Sequence, residues 1–149
     1  MTRRGIKAGA TLTLAILLLA VGGAIYLLYR PQTLVLFRVT DTLGLTAAID
    51  NWRATTQAGL PEWVIYSLPN ALWTVAYILI TDSLTLDEPE GYRLRTAAFI
   101  PMLGIVSEAL QAAGVIPGTF DWLDLVAYAL PYLIYGIIIK SNNNKKNRL

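Results

Sequence analysis

The sequence predicts an all-α integral membrane protein of four transmembrane helices, with one or two short interfacial helices in its first extracytoplasmic loop. Three observations carry this expectation. Of the 149 residues, 55% are hydrophobic and only 15% charged, whereas soluble domains hold about 25% charged and about 45–50% apolar residues. The mean hydropathy is +0.51. Four stretches approach the roughly 20 apolar residues that cross a bilayer. The length suits a single folding unit, residues 1–149, with no internal repeat.

The first span, residues 8–29, holds no charge and follows Arg3, Arg4 and Lys7. Such a start resembles a secretory signal, but the apolar run continues past Gly22 and Gly23 through Leu28. That exceeds the ~7–15 residues of a signal core, so a retained helix is expected. Residues 30–62 follow. Leu34, Leu36, Phe37, Val39, Leu43 and Leu45 make this stretch too apolar for a free loop. Pro31 suits a first helical turn, and a second helical piece from Thr46 to Gln57 would stop ahead of Gly59 and Pro61. These pieces are expected to lie on the outer leaflet or to cap the bundle.

The remaining spans, 63–81, 96–113 and 122–139, are shorter and carry polar groups. Between the second and third, residues 82–95 form a loop with Asp87, Glu88 and Glu90 at its middle. A short turn, 114–121, precedes the fourth, and residues 140–149 form a basic tail. Trp63, Tyr66 and Trp122 fall at one interface as an aromatic belt. Pro69, Pro101 and Pro131 each interrupt a span, and Pro69 is expected to kink the second.

Basic residues set the orientation. With both termini inside, Arg3, Arg4, Lys7, Arg93, Arg95, Lys140, Lys145, Lys146 and Arg148 are cytoplasmic. Only Arg30, Arg38 and Arg53 are then outside. Short loops rich in Lys and Arg stay in the cytoplasm, which fits a membrane protein with both ends inside. The tail reads as a topology anchor near anionic lipid. The partner is the bilayer, and no nucleic acid is expected.

The chain has no Cys and no His. Disulfide frameworks, thiolate nucleophiles, Cys/His zinc sites, His-ligated haem and Ser-His-Asp triads are thereby excluded. No cofactor and no catalytic residue are assigned. A hydrolase would have to work with paired carboxylates, as Mg²⁺ ligands or as acid and base, and the metal question stays open.

Function is sought where polarity enters the spans, because an ionisable group in hydrocarbon costs about 2.5–3.5 kcal/mol or more. The candidates are Asn70 in the second span, Glu108 and Gln111 in the third, and Asp121, Asp124 and Tyr128 at the start of the fourth. The helix directions bring the first five to one extracytoplasmic level, with Tyr128 one turn further along and Asn70 about 10 Å below the second helix's outer end. Glu108 and Gln111 share a face, as do Asp121, Asp124 and Tyr128. They predict a polar pocket open to the outside. Plainer roles compete. Asp121 suits an N-cap, with Asp124 as the acid of a capping box. Asn70 and Gln111 suit interhelical hydrogen bonds. Glu108 has no capping role in mid-helix, and is either protonated or paired with Arg53 or Arg38 from the outer loop. Trp73 and Tyr77 either line a cavity or pack.

The run Ser107-Glu108-Ala109-Leu110-Gln111, then a turn, then Phe120-Asp121-Trp122-Leu123-Asp124 resembles the VanZ-like family of small bacterial membrane proteins. That family pairs Glu-x-x-Gln at one helix end with Asp-x-x-Asp opening the next. The turn here lacks the arginine usual in the family, and Tyr128 stands where an Asn is common. The resemblance implies roles for Glu108, Gln111, Asp121 and Asp124. Its named member is associated with low-level glycopeptide resistance. An outward-facing pocket binding a cell-envelope component or an antibiotic-related small molecule is therefore expected. The alternatives are a small ion- or proton-coupled transporter using Glu108 and a ligand-free assembly partner. A homodimer would supply further helices to a carrier.

Overall fold

The computed structural model describes residues 3–33, 35–56 and 59–146. Leu34, Gln57 and Arg148 lie outside them, and for Arg3, Arg4, Lys7, Lys145 and Lys146 only the helical backbone is described. The described residues form α-helices and connections, with no strand. The helices are α1 (Arg3–Tyr29), α2 (Val35–Thr42), α3 (Thr46–Thr55), α4 (Glu62–Tyr66), α5 (Leu68–Leu84), α6 (Glu90–Ala112) and α7 (Trp122–Lys146).

Several boundaries differ from the sequence reading. The second span is two helices, broken at Ser67. Pro69 has no N–H to offer the carbonyl of Ile65, and its ring crowds the preceding turn. Pro31 precedes α2, which is described from Val35, and does not open it. α5 runs on to Leu84, so the expected 82–95 loop shrinks to residues 85–89. Side chains explain the extension. Thr81, Ser83 and Thr85 donate back to the carbonyls of Tyr77, Leu79 and Thr81 at 3.0, 2.8 and 2.7 Å. Asp82 then accepts from Arg93 of α6 and, at 2.6 Å, from the Tyr135 hydroxyl of α7. α7 likewise continues through Lys146, so the start of the basic tail is helical.

Three helical segments are long and apolar enough to cross a membrane: Ala8–Tyr29, Glu62–Leu84 and Trp122–Ser141. α6 has 23 residues, about 35 Å at 1.5 Å per residue. Glu90, Arg93, Arg95, Glu108 and Gln111 make it less apolar than the other three.

α5 occupies the middle, packed against α1, α6 and α7, while α6 and α7 also pack on each other and α3 and α4 lean on α1. The interior of the long helices is mostly small: Ala15, Ala76, Ala97 and Ala127 are buried, with Ile78 and Ile139 as larger members, and the largest fully buried side chains are Thr74, Pro69 and Pro101. Large apolar groups face outward, with Ile16 63%, Phe99 60% and Ile137 69% exposed. A water-soluble bundle would bury such residues. Small residues inside and large ones outside is the pattern of helices solvated by lipid, where close backbone approach, not oil transfer, holds the contact. The described residues carry the composition and exposure pattern of a helical membrane protein. Gly22 shows the close approach: a Cβ there would stand 2.5 Å from Trp73 Nε1. That indole N–H donates to the Leu19 carbonyl at 3.3 Å, and the Trp73 ring lies 5.5 Å from Tyr26. Trp73 is thus a packing residue. Tyr77 donates to the Thr96 carbonyl at 2.7 Å and also lines a groove between α5 and α6.

The C-terminal ends of α1 and α6, the N-terminal ends of α4 and α7, and the small helices α2 and α3 share one end of the bundle, termed the upper end. Asp82, Arg93 and Tyr135 clamp α5, α6 and α7 near the lower end.

Candidate functional site

The upper end gathers most of the polar side chains that the spans contain. α1 ends at Tyr29, leaving its last carbonyls without helical donors. Arg53 of α3 answers them, donating from Nη1 to the Leu27 carbonyl at 2.6 Å and the Arg30 carbonyl at 3.0 Å. Its guanidinium carbon also stands 5.7 Å from the centre of the Phe37 ring. Arg53 therefore does not pair with Glu108. Arg38 does not either: it lines a cavity of about 230 Å³ between α2 and α3, with Asp41 and Asp50.

Glu108 sits on α6, only 5% exposed. Its Oε2 accepts from the backbone N–H of Asp121 at 3.0 Å. Asp121 caps α7, its Oδ1 accepting from the N–H of Leu123 at 2.8 Å, as an N-cap should. In a capping box the third helical residue would return a bond to the Asp121 N–H. Here Asp124 holds that position, but Glu108 from the neighbouring helix takes the bond. Asp124 is released from capping, and its Oδ1 is buried with no hydrogen-bond partner.

Arg30, just past α1, reaches toward the same place. Its Nη2 donates to the Tyr66 carbonyl at 3.1 Å, and the guanidinium lies 4.6 Å from the Tyr66 ring centre and 5.4 Å from that of Tyr26. Asn70 shares the Tyr66 carbonyl, donating from Nδ2 at 3.4 Å. The break at Ser67 separates α4 from α5 and leaves this stretch of backbone between the two polar side chains. Tyr128 lies within electrostatic reach of Asp124, Glu108 and Arg30 together. Its ring rests directly on Gly104, where a Cβ would overlap it.

Glu108, Asp121, Asp124 and Tyr128 thus come together, and Asn70 joins them through the carbonyl it shares with Arg30. Gln111 is placed slightly apart: its side chain lies over Gly118, at φ +138° in the turn, and Nε2 donates to Ser107 Oγ at 3.4 Å. Its tie is local.

Sequence reasoning missed Arg30 and Ser67. Arg30 counted only toward orientation, although Tyr26, one helical turn before it, was a signal for a guanidinium held against a ring. Besides Asp124 Oδ1, the buried side-chain atoms Arg30 Nε and Ser67 Oγ have no hydrogen-bond partner. A buried polar atom left unpaired costs about 1–3 kcal/mol. A fourth, Arg93 Nε, lies at the lower end, while these three, from a guanidinium, a carboxyl and a hydroxyl group, sit at the upper ends of α1, α7 and α5. Among the described residues, no group of three or more Asp and Glu side chains is arranged to hold a metal ion.

The chain matches no protein-family model, no curated protein and no solved structure.

Proposed function

We propose that the protein is a four-span bacterial plasma-membrane protein of VanZ-like kind. α6 crosses the bilayer beside the three more apolar helices, and both termini lie in the cytoplasm. The upper end then faces outward and binds the polar head of a cell-envelope component or an antibiotic-related ligand, without catalysis. One observation carries this reading: Arg30, Ser67 and Asp124 each hold a buried polar atom with no protein partner. A ligand offering both an acceptor and a donor would satisfy these atoms together. Arg30 also brings a guanidinium to the Glu108–Asp124 region from another helix, where the 117–120 turn has none.

The arrangement favours recognition over proton transport. A carrier needs Glu108 free to take up and release its proton, and this carboxylate is tied to the Asp121 N–H. The test is glycopeptide tolerance in cells that make the protein. Asp124→Asn and Arg30→Gln should each lower tolerance to the level of cells lacking the protein, with membrane abundance unchanged on immunoblots. Full tolerance in both variants rejects the proposed site.

A further inference from the structure

α6 carries two arginines near its start, and they do different things. Arg93 turns inward to Asp82. Arg95 is two residues on, about 200° around a helix of 3.6 residues per turn, and is exposed with no ion pair or hydrogen bond from its side chain among the described residues. It stands over a groove between α5 and α6 of about 590 Å³, whose lining includes Tyr77, Thr81, Tyr92 and Phe99. A second hollow of about 300 Å³ shares Arg95 and Phe99 and continues along α6 past Met102, Leu103 and Val106.

Tyr92, Arg95, Phe99, Met102 and Val106 form one stripe, spaced by three or four residues. Its apolar members are open, Phe99 60% and Val106 52% exposed. From Arg95 to Val106 is about 16 Å along the helix, close to half of the roughly 30 Å hydrocarbon core of a bilayer. A free cation with an exposed tyrosine stands at one end, and a one-leaflet apolar trough runs from it toward the bundle's middle.

We propose that this stripe is a binding site for one anionic phospholipid of the leaflet at the lower end. Arg95 and the Tyr92 hydroxyl donate to the phosphate, and an acyl chain lies along Phe99, Met102, Leu103 and Val106. Arginine suits the phosphate because its planar fork gives charge-assisted bonds to two oxygens. The proposal rests on α6 lying in the bilayer, but not on the upper-end ligand or on which way the termini face.

The test is native mass spectrometry of the full chain, purified in mild detergent and titrated with phosphatidylglycerol or phosphatidylcholine. The wild type should retain one phosphatidylglycerol about tenfold more strongly than phosphatidylcholine, the size of one charged contact. Arg95→Gln should remove that preference, and Arg95→Lys should keep part of it. Leu103→Trp, which fills the trough, should weaken both lipids. Lys140→Gln, removing another exposed cation of the lower end, and Asp124→Asn, at the upper site, should change nothing. The proposal is overturned if Arg95→Gln keeps the preference, or if Lys140→Gln abolishes it as fully, which would mean diffuse charge. Displacement of the lipid by inorganic phosphate would also overturn it, leaving a bare anion site. Loss of activity at the upper site with Arg95-dependent lipid retention intact would separate failure of the outward-pocket reading from failure of this one.

Discussion

Removing Glu108 tests the link between α6 and α7 most directly. In Glu108→Ala the part-buried Asp121 N–H loses its acceptor at 3.0 Å. A hydrogen bond to a charged group contributes about 1.5–3 kcal/mol in water-soluble proteins, and interhelical bonds measured in membranes are weaker, averaging about 0.6 and reaching about 1.7 kcal/mol. Glu108 is 5% exposed, so truncation also leaves a void, and a total near 2–3 kcal/mol is expected. Glu108→Gln keeps an oxygen facing the same N–H but loses the charge, which roughly halves the bond and gives a loss of about 1 kcal/mol. The four tryptophans report unfolding when the purified protein in mixed micelles is titrated with sodium dodecyl sulfate. Hydrogen exchange supplies the local readout: the Asp121 amide should lose protection in the Ala variant and keep most of it in the Gln variant. If Gln destabilises as much as Ala, the negative charge, through Arg30, holds the helices and the accepting bond does not. If Ala costs under about 0.5 kcal/mol, the bond contributes nothing and the reasoning fails.

Gly22→Val should wedge α1 away from α5, because the space for a Cβ is filled by the Trp73 indole; a loss of about 2 kcal/mol or more is expected from overpacking. Gly23→Ala, with nothing within 4 Å of the new Cβ, should leave the melting temperature in micelles unchanged or raise it slightly. At the lower end, Tyr135→Phe deletes one donor to Asp82 and should cost about 1 kcal/mol. Asp82→Ala also strips Arg93 of its counter-ion and should cost clearly more in the same detergent titration; equal losses would mean that the ion pair is idle. The chain has no cysteine, so single-cysteine variants map topology cleanly. With both termini inside, Thr119→Cys should react with an impermeant maleimide on intact cells and Ser141→Cys only after lysis, and the reverse pattern would invert the proposed orientation.

The apolar runs made the long helices legible, because a lipid-facing surface is written as composition. Asp121 was legible as a cap, since the N-cap role depends on its own helix's first turn. Glu108 was not: its task is to complete the first turn of α7 from near the C-terminal end of α6, and no local pattern encodes a bond between helices. Arg53, one of two arginines offered as a partner for Glu108, was not readable for the same reason, since only the folded position of α3 brings it to the end of α1. Asp82 looked like a loop residue because a charge so near an apolar run suggests an end. The fold extends the helix through it by supplying Arg93 and Tyr135. Of the candidate site, the level of each residue in the spans was readable from helix direction, whereas the contribution of Arg30 required the end of α1 to lie beside Tyr66.

The central place of α5 has a consequence for biogenesis. α1 emerges first and finds its main docking face on a helix not yet made, so it must wait in the membrane as a lone, lipid-coated rod. Synthesis of α5 ends that wait and yields a first hairpin. The later α6–α7 hairpin then closes on the opposite flank, with the Asp82 clamp fastening only when Tyr135 leaves the ribosome. A chain stalled before α7 would keep the Asp82–Arg93 pair between α5 and α6 but leave Asp82 without its Tyr135 donor and the α7-facing flank of α5 and α6 uncovered.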